Sequence, residues 1–320
     1  MLSRVADSLY WMSRYLERAE HTARLLGVNL TQMLDQTPQS TEQRWKRLLM
    51  SLRTNSLKID PIDAYAITNE LTFDASNSAS IAACIASARV NARQVREQIS
   101  TEMWEQLNRL YLQVKRTSMD EIWYSEPYEF FQSVKDRMHQ FQGVTDATLS
   151  HGEGWQFVQL GRFIERACLT ADVLDVHFIA YLEAQASSTT LIDYTDWVAL
   201  LKSCTSFESY CKVYTANIQP SSIAEFMLLN AESPRSVRFA ADMIQVALQA
   251  IARDTGTRHA GRAERLAGRL RSSLSYGQVD EIMADSMHAY LETIQSQCAQ
   301  IHTAIRETYV AYPVDAALAS

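Results

Sequence analysis

The chain has 320 residues, 47% of them hydrophobic and 21% charged, with only 9 glycines and 6 prolines. That hydrophobic share supports a sizeable core and excludes a disordered chain. The scarcity of both turn-forming residues argues against a β-rich fold, because helices tolerate few of either while β turns need both. The formal net charge of -7 argues against an extended nucleic-acid or anionic-membrane surface.

The N-terminal stretch turns polar at Arg4 and Asp7, and then Arg14, Glu17 and Arg18 interrupt any apolar run. No secretory signal is expected. The first long helix is predicted over 5–34. Trp11, Met12, Tyr15, Leu16, Ala19, Ala23, Leu26 and Leu30 share one broad apolar arc, with Arg18 at its edge and Glu17 on the other side near Arg14. Shorter helices follow near 41–53 and 61–71. A break at 73–77 leads into a helix over 79–98, where Arg89, Arg93 and Arg96 stand at i, i+4 and i+7 and form a basic stripe that suits an anion or an acidic partner. Helices near 100–115 and 127–142 come next, the latter carrying Asp136 and His139.

After a loop from Gly143 to Gly154, a long helix over 155–184 is apolar nearly all round, which marks an interior helix. Arg162, Glu165, Arg166 and Asp172 are polar inclusions in it. Helices near 191–211, 235–253, 260–273 and 278–309 complete the chain, the last starting beside Asp285 and His288. A loop at Thr255-Gly256-Thr257 precedes a basic group that includes Arg258, His259, Arg262 and Arg271. Interleaved alanines and leucines there read as an ordinary amphipathic helix. No run reaches about 18 uninterrupted apolar residues, so no membrane span is expected. The five cysteines are odd in number and scattered, as expected for reduced thiols in a cytoplasmic protein.

An internal repeat is the strongest signal. The thirteen residues from Arg14 to Leu26 align with those from Arg162 to Leu174, with seven identities. Asn77-Ser78-Ala79-Ser80-Ile81 resembles Ser233-Pro234-Arg235-Ser236-Val237, and Asp136 to Phe141 resembles Asp285 to Tyr290, in the same order. The expectation is an all-α, multi-helix bundle of two duplicated halves, 1–147 and 148–320, packed as one unit about a pseudo-two-fold axis.

Glu17 and Arg18 point about 100° apart on a helix, so each needs a partner elsewhere. Buried charges are costly unless paired. The simplest solution pairs Glu17 with Arg162 or Arg166, and Glu165 with Arg14 or Arg18. Glu165 is expected to lie deeper than Glu17. The six residues then read as a closed ion-pair network, as a polar cavity for an anionic or zwitterionic ligand such as a peptide or amino acid, or as a catalytic cluster. The two Asp-x-x-His pairs, Asp136/His139 and Asp285/His288, with Glu17 and Glu165 offer a third reading, a di-metal helical-bundle oxidase, but Asp reaches less far than the Glu such sites use, so no metal is expected. No Walker A, Rossmann or nucleophile-elbow fingerprint occurs, and no cofactor is expected.

The doubled Arg-x-x-Glu-Arg-Ala segment resembles that of the alpha-E family. Asn77 to Ile81, Ala88 to Glu97, Met103 to Asn108 and Ser233 to Val237 resemble further family segments, with Ser78 and Val90 departing from a Pro and a Glu. The resemblance implies an all-helical fold. It also implies the company of circularly permuted ATP-grasp ligases and transglutaminase-like proteins in bacterial systems that make or modify peptides. It implies no metal and assigns no activity to the alpha-E component, so an accessory or substrate-binding role is expected over catalysis.

Overall fold

The computed structural model describes residues 1–33, 38–53, 63–187, 194–215, 217–254 and 261–310. Among them the chain forms α1 (Ser3–Gln32), α2 (Pro38–Ser51), α3 (Ala64–Phe73), α4 (Ile81–Gln94), α5 (Thr101–Arg116), α6 (Met119–Trp123), α7 (Pro127–Thr148) and α8 (Glu153–Ser187). There follow α9 (Tyr194–Ser203), α10 (Phe207–Tyr214), α11 (Pro220–Leu229), α12 (Val237–Asp254), α13 (Arg262–Tyr276), α14 (Val279–Asp285) and α15 (Met287–Ile305), closed by a π-helical turn at Arg306–Val310. No strand occurs among the described residues, and none of their helices is long and apolar enough to cross a membrane.

The architecture is an all-α multi-helix bundle built on α1 and α8, which pack on each other. α4 and α7 flank α1, and α5 packs on both. α12 and α15 flank α8, and α13 packs on both. α3 and α11 lie on α4 and α12, while α2 reaches across to α8 and α9 reaches across to α1. α8 is therefore covered on several sides. Phe157, Leu160, Ile164, Ala167, Ala171, Leu174 and Phe178 are all buried, as an all-round apolar helix requires.

The two central helices meet at close quarters where Gly161 faces Tyr10 and Ser13. A Cβ on Gly161 would collide with the Tyr10 carbonyl oxygen and with Ser13 Oγ. The Ser13 hydroxyl donates to the Val158 carbonyl at 2.7 Å, sealing the crossing. The segments entering α4 and α12 share one hydrogen-bond pattern. The side chains of Asp74 and Asn230 accept from backbone N–H groups two residues on. The hydroxyls of Ser80 and Ser236 donate back to the Asp74 and Asn230 carbonyls and accept from Ala83 and Phe239 N–H.

The helix predicted over 79–98 stops at Gln94, because Val95 leaves helical geometry and Ser100 starts α5 as its cap. The predicted 191–211 helix is two, α9 and α10, broken where Thr205 takes a left-handed φ of 52°. The predicted 278–309 helix is likewise divided by Ser286, which is extended and caps α15. α6 and α11 have no counterpart in the apolar pattern: α6 spans five residues, and α11 buries Ile223, Ala224, Phe226, Met227 and Leu228 without a polar stripe. The loop 255–257, Arg258 and His259 lie outside the described residues.

Candidate functional site

The α1–α8 crossing places Glu17 and Glu165 on opposite sides, each facing arginines of the other helix. Glu165 is 3% exposed and receives Arg14 Nε at 2.7 Å and Arg18 Nε at 2.6 Å. Arg14 also lies over the Trp11 ring, 4.7 Å from its centroid. His302 Nδ1 accepts from Arg14 at 3.2 Å and lies 2.8 Å from Tyr10 Oη. A nitrogen that accepts from a guanidinium carries no proton. Burial and the Arg14 charge accordingly hold His302 down at about 4.

Glu17 is 2% exposed, so the expectation that Glu165 lies deeper fails: the two carboxylates are buried alike. Arg166 grips Glu17 through Nε at 2.7 Å and a second nitrogen at 2.9 Å, and Arg235 adds a bond of 2.8 Å. Burial opposes this charge, but Arg166 and Arg235 outweigh it and hold the carboxyl at about 2. One turn further on, Glu20 is fully buried. It receives Arg235 and Arg24 at 2.5 Å each, Gln142 at 3.1 Å and His139 at 3.2 Å. Burial again opposes the charge, and Arg235 and Arg24 hold Glu20 well below the usual carboxylate range.

Four guanidinium groups, those of Arg24, Arg162, Arg166 and Arg235, thus face two carboxylates. His21 does not alter the balance, because burial and Arg24 push it down to about 3. Arg162 is the least satisfied of the four. It donates to Gln142 at 2.7 Å, but its Nε has no hydrogen-bond partner and lies 3.9 Å from the nearest Glu17 oxygen. Burial and the neighbouring Arg166 charge push Arg162 down to about 10, so it stays cationic at neutral pH but is strained electrostatically. It lines a cavity of about 380 Å³ beside Glu17 and Arg166.

A second cavity, of about 330 Å³, lies on the Glu165 side and is lined by Arg14, Arg18, Arg53, Asp172 and His302 among others. Asp172 receives Arg53 and Gln295, both at 2.7 Å, yet burial pushes its carboxyl up to about 6.

The other candidates lie apart from this crossing. Arg89 donates to Asn108 at 2.8 Å and stacks on Tyr111 and Trp104. Arg96 stands beyond the end of α4, also over Trp104, so the expected continuous stripe is broken and Arg93 is its exposed member. His139 turns to Glu20 and His288 to Asp175 at 2.7 Å, while Asp136 accepts from Gln132. Asp136, His139, Asp285 and His288 therefore do not converge, and no group of three or more potential metal ligands forms among the described residues. In the basic group, Arg262 pairs with Glu307 and Arg271 with Asp242. Glu20, Arg24 and Arg235 are the residues that sequence reasoning missed. The Glu20/Arg24 spacing of i, i+4 was the available sign.

These features define a class: an all-helical protein whose two longest helices are locked by reciprocal Glu–Arg pairs. The chain belongs to the Alpha-E family, a predicted alpha-helical domain with a conserved ER motif, whose family model matches residues 1–310. It is similar to an uncharacterized protein of Mycobacterium bovis and to uncharacterized proteins of Mycobacterium tuberculosis strains CDC 1551 and H37Rv. Each is 23% identical over 331 aligned residues, covering 95% of this chain. The chain spans only about a third, 36%, of the length of these relatives. No solved structure matches it.

Proposed function

We propose that this chain is an accessory, substrate-holding component of a bacterial system in which a circularly permuted ATP-grasp ligase makes the amide bonds of a peptide. The observation that carries the reading is the charge surplus beside Glu17. A purely structural network gains by balancing its buried charges, since each unpaired one is costly. Here four arginines meet two carboxylates, and Arg162, which lines a cavity, bonds only to Gln142 and keeps a buried Nε with no partner. An anionic ligand relieves that surplus. The alpha-E resemblance supplies the partner. The sequence carries no phosphate-cradling loop, so ATP chemistry falls to another protein. In the mycobacterial relatives most of the length lies outside the matched region, which supports an alpha-E unit that works beside further protein. The matching packing of α1, α4, α5 and α7 with that of α8, α12, α13 and α15 supports a tandem duplication as the origin of the two cavities.

The test is co-expression with the ATP-grasp ligase of the same genome. The ligase is expected to co-purify with the chain, and less so with Arg93→Glu if that exposed arginine of α4 is its docking point. ATP hydrolysis by the chain alone, at a rate that tracks purity, overturns the accessory role. Equal capture by both variants removes only the docking point.

A second reading, an enzyme in its own right, is favoured by Asp172. A carboxyl at about 6 in a cavity with Arg14 and Arg18 suits a general base. Glu17 does not suit that role, because it stays ionised far below neutral pH.

A further inference from the structure

We propose that the cavity beside Glu17 is a receptor for the C-terminal carboxylate of a peptide ending in an apolar residue. This rests on the substrate-holding reading and names its ligand. Trp155, Gln159, Arg162 and Arg166 stand at i, i+4, i+7 and i+11 of α8 and all line the cavity, so they form one row. At ~1.5 Å per residue the row from Trp155 to Arg162 runs about 10 Å, the reach of about three extended residues.

The two ends of the row differ in chemistry. At the inner end Arg166 is already committed to Glu17 and to the Pro234 carbonyl, at 3.0 Å. Arg162 lines the cavity with only one terminal nitrogen bonded, to Gln142, while its partnerless Nε is buried behind it, and a planar guanidinium matches a carboxylate in size and geometry. Gln159 stands one turn away on the same face. At the outer end the half-buried Trp155 stacks on His151, with ring centroids 4.3 Å apart, and His151 lies 3.5 Å from the exposed Asp146, which lines the same cavity. Phe141, Phe239 and Met243 supply apolar wall between. A ligand that fits carries one negative charge inward and an apolar side chain along the wall. Asp146 at the outer end disfavours a second negative charge, which selects against phosphate esters and acidic peptides.

Calorimetry on the full chain tests this with four probes. They are acetyl-Ala-Ala-Phe as the free acid, the same peptide as its C-terminal amide, acetyl-Ala-Glu-Ala amide for a side-chain carboxylate, and inorganic phosphate. The free acid is expected to bind, and the other three at least about ten-fold more weakly, as the loss of a charge-assisted hydrogen bond predicts. Arg162→Gln is expected to bind acid and amide alike. Trp155→Ala is expected to weaken both yet keep the preference, with folding of each variant checked by circular dichroism. Equal binding of acid and amide by the wild type overturns the proposal, as does no binding of the acid, or tighter binding of phosphate or of the glutamate peptide. A chain that captures the ligase but shows no acid preference loses this receptor alone. One that prefers the acid but captures no ligase loses the partnership alone.

Discussion

Glu17 and Glu165 hold equivalent places at the helix crossing, but their surroundings differ. Glu165 answers two arginines, while Glu17 and Glu20 together answer four. Removing one member of a buried pair costs about 3–5 kcal/mol. Glu17→Ala is expected at or above the top of that range, because it leaves only Glu20 against four cations, and Glu165→Ala lower within it. Denaturant midpoints of the two variants check this, and a larger loss for Glu165→Ala contradicts it.

The pH dependence follows from the same residues. His21, His177 and His302 are held neutral at about 3, 4 and 4, against 6.5 when unfolded. A base whose folded value is lowered contributes stability above 6.5 and loses it as pH falls toward the folded value. Glu17, lowered from 4.5 to about 2, adds a second loss as pH falls below 4.5. Asp172, raised from 3.8 to about 6, acts the other way, and its contribution is lost as pH rises between those values. Melting temperature is expected to start falling below about pH 6.5 and to fall more steeply below about 4.5. A flat profile from pH 7 to 4 contradicts the neutral-histidine assignment. At this scale the sequence was partly legible. Buried charge needs opposite charge, which leads from Glu17 to the arginines of the other motif and from Glu165 to those of its own counterpart. It does not lead to Arg235, which sits in the turn before α12 and gives no sign in the sequence that it reaches across to α1.

Among the elements, the crossing of α1 and α8 rests on one missing side chain. Gly161→Ala gains helix propensity of about 1 kcal/mol. Its Cβ, however, meets a backbone carbonyl that cannot rotate away, and overpacking of this kind costs about 1–3 kcal/mol or more. Net destabilisation is expected. Gly143, inside α7, has open space where an added methyl would sit, with nothing within 4 Å, so Gly143→Ala is expected to stabilise by about 0.5–1 kcal/mol. Thermal melts of the pair separate propensity from packing. If both substitutions stabilise, the close approach at Gly161 is not real. Long helices, α1 by its apolar arc and α8 by its long, nearly all-round apolar run, were legible to within a few residues. Short ones were not: five residues of α6 hold little more than one helical period, and α11, ten residues with Glu225 as its one charge amid an apolar run, has too little period to read. The end of α4 at Gln94 was hidden because Ala92, Val95 and Ile99 continue the apolar spacing through the turn.

For the whole molecule, the partners of each central carboxylate lie mostly on the opposite half of the chain. Residues 1–147 alone would expose the face of α1 that α8 covers and strand Glu17. That fragment is expected to show little helical signal by circular dichroism, and the full chain to unfold in one cooperative transition. The claim that joins fold to function is that the arginine surplus beside Glu17 is kept for a ligand and not for stability. It is tested most directly by comparing ligand-free melting temperatures of Arg162→Gln and Arg166→Gln. Arg166→Gln is expected to fall by several degrees, since it breaks a two-bond buried pair. Arg162→Gln is expected to hold or rise, since it relieves repulsion from Arg166. A drop for Arg162→Gln as large as that for Arg166→Gln would mean that the network is a closed structural device and that the cavity beside it holds no anion.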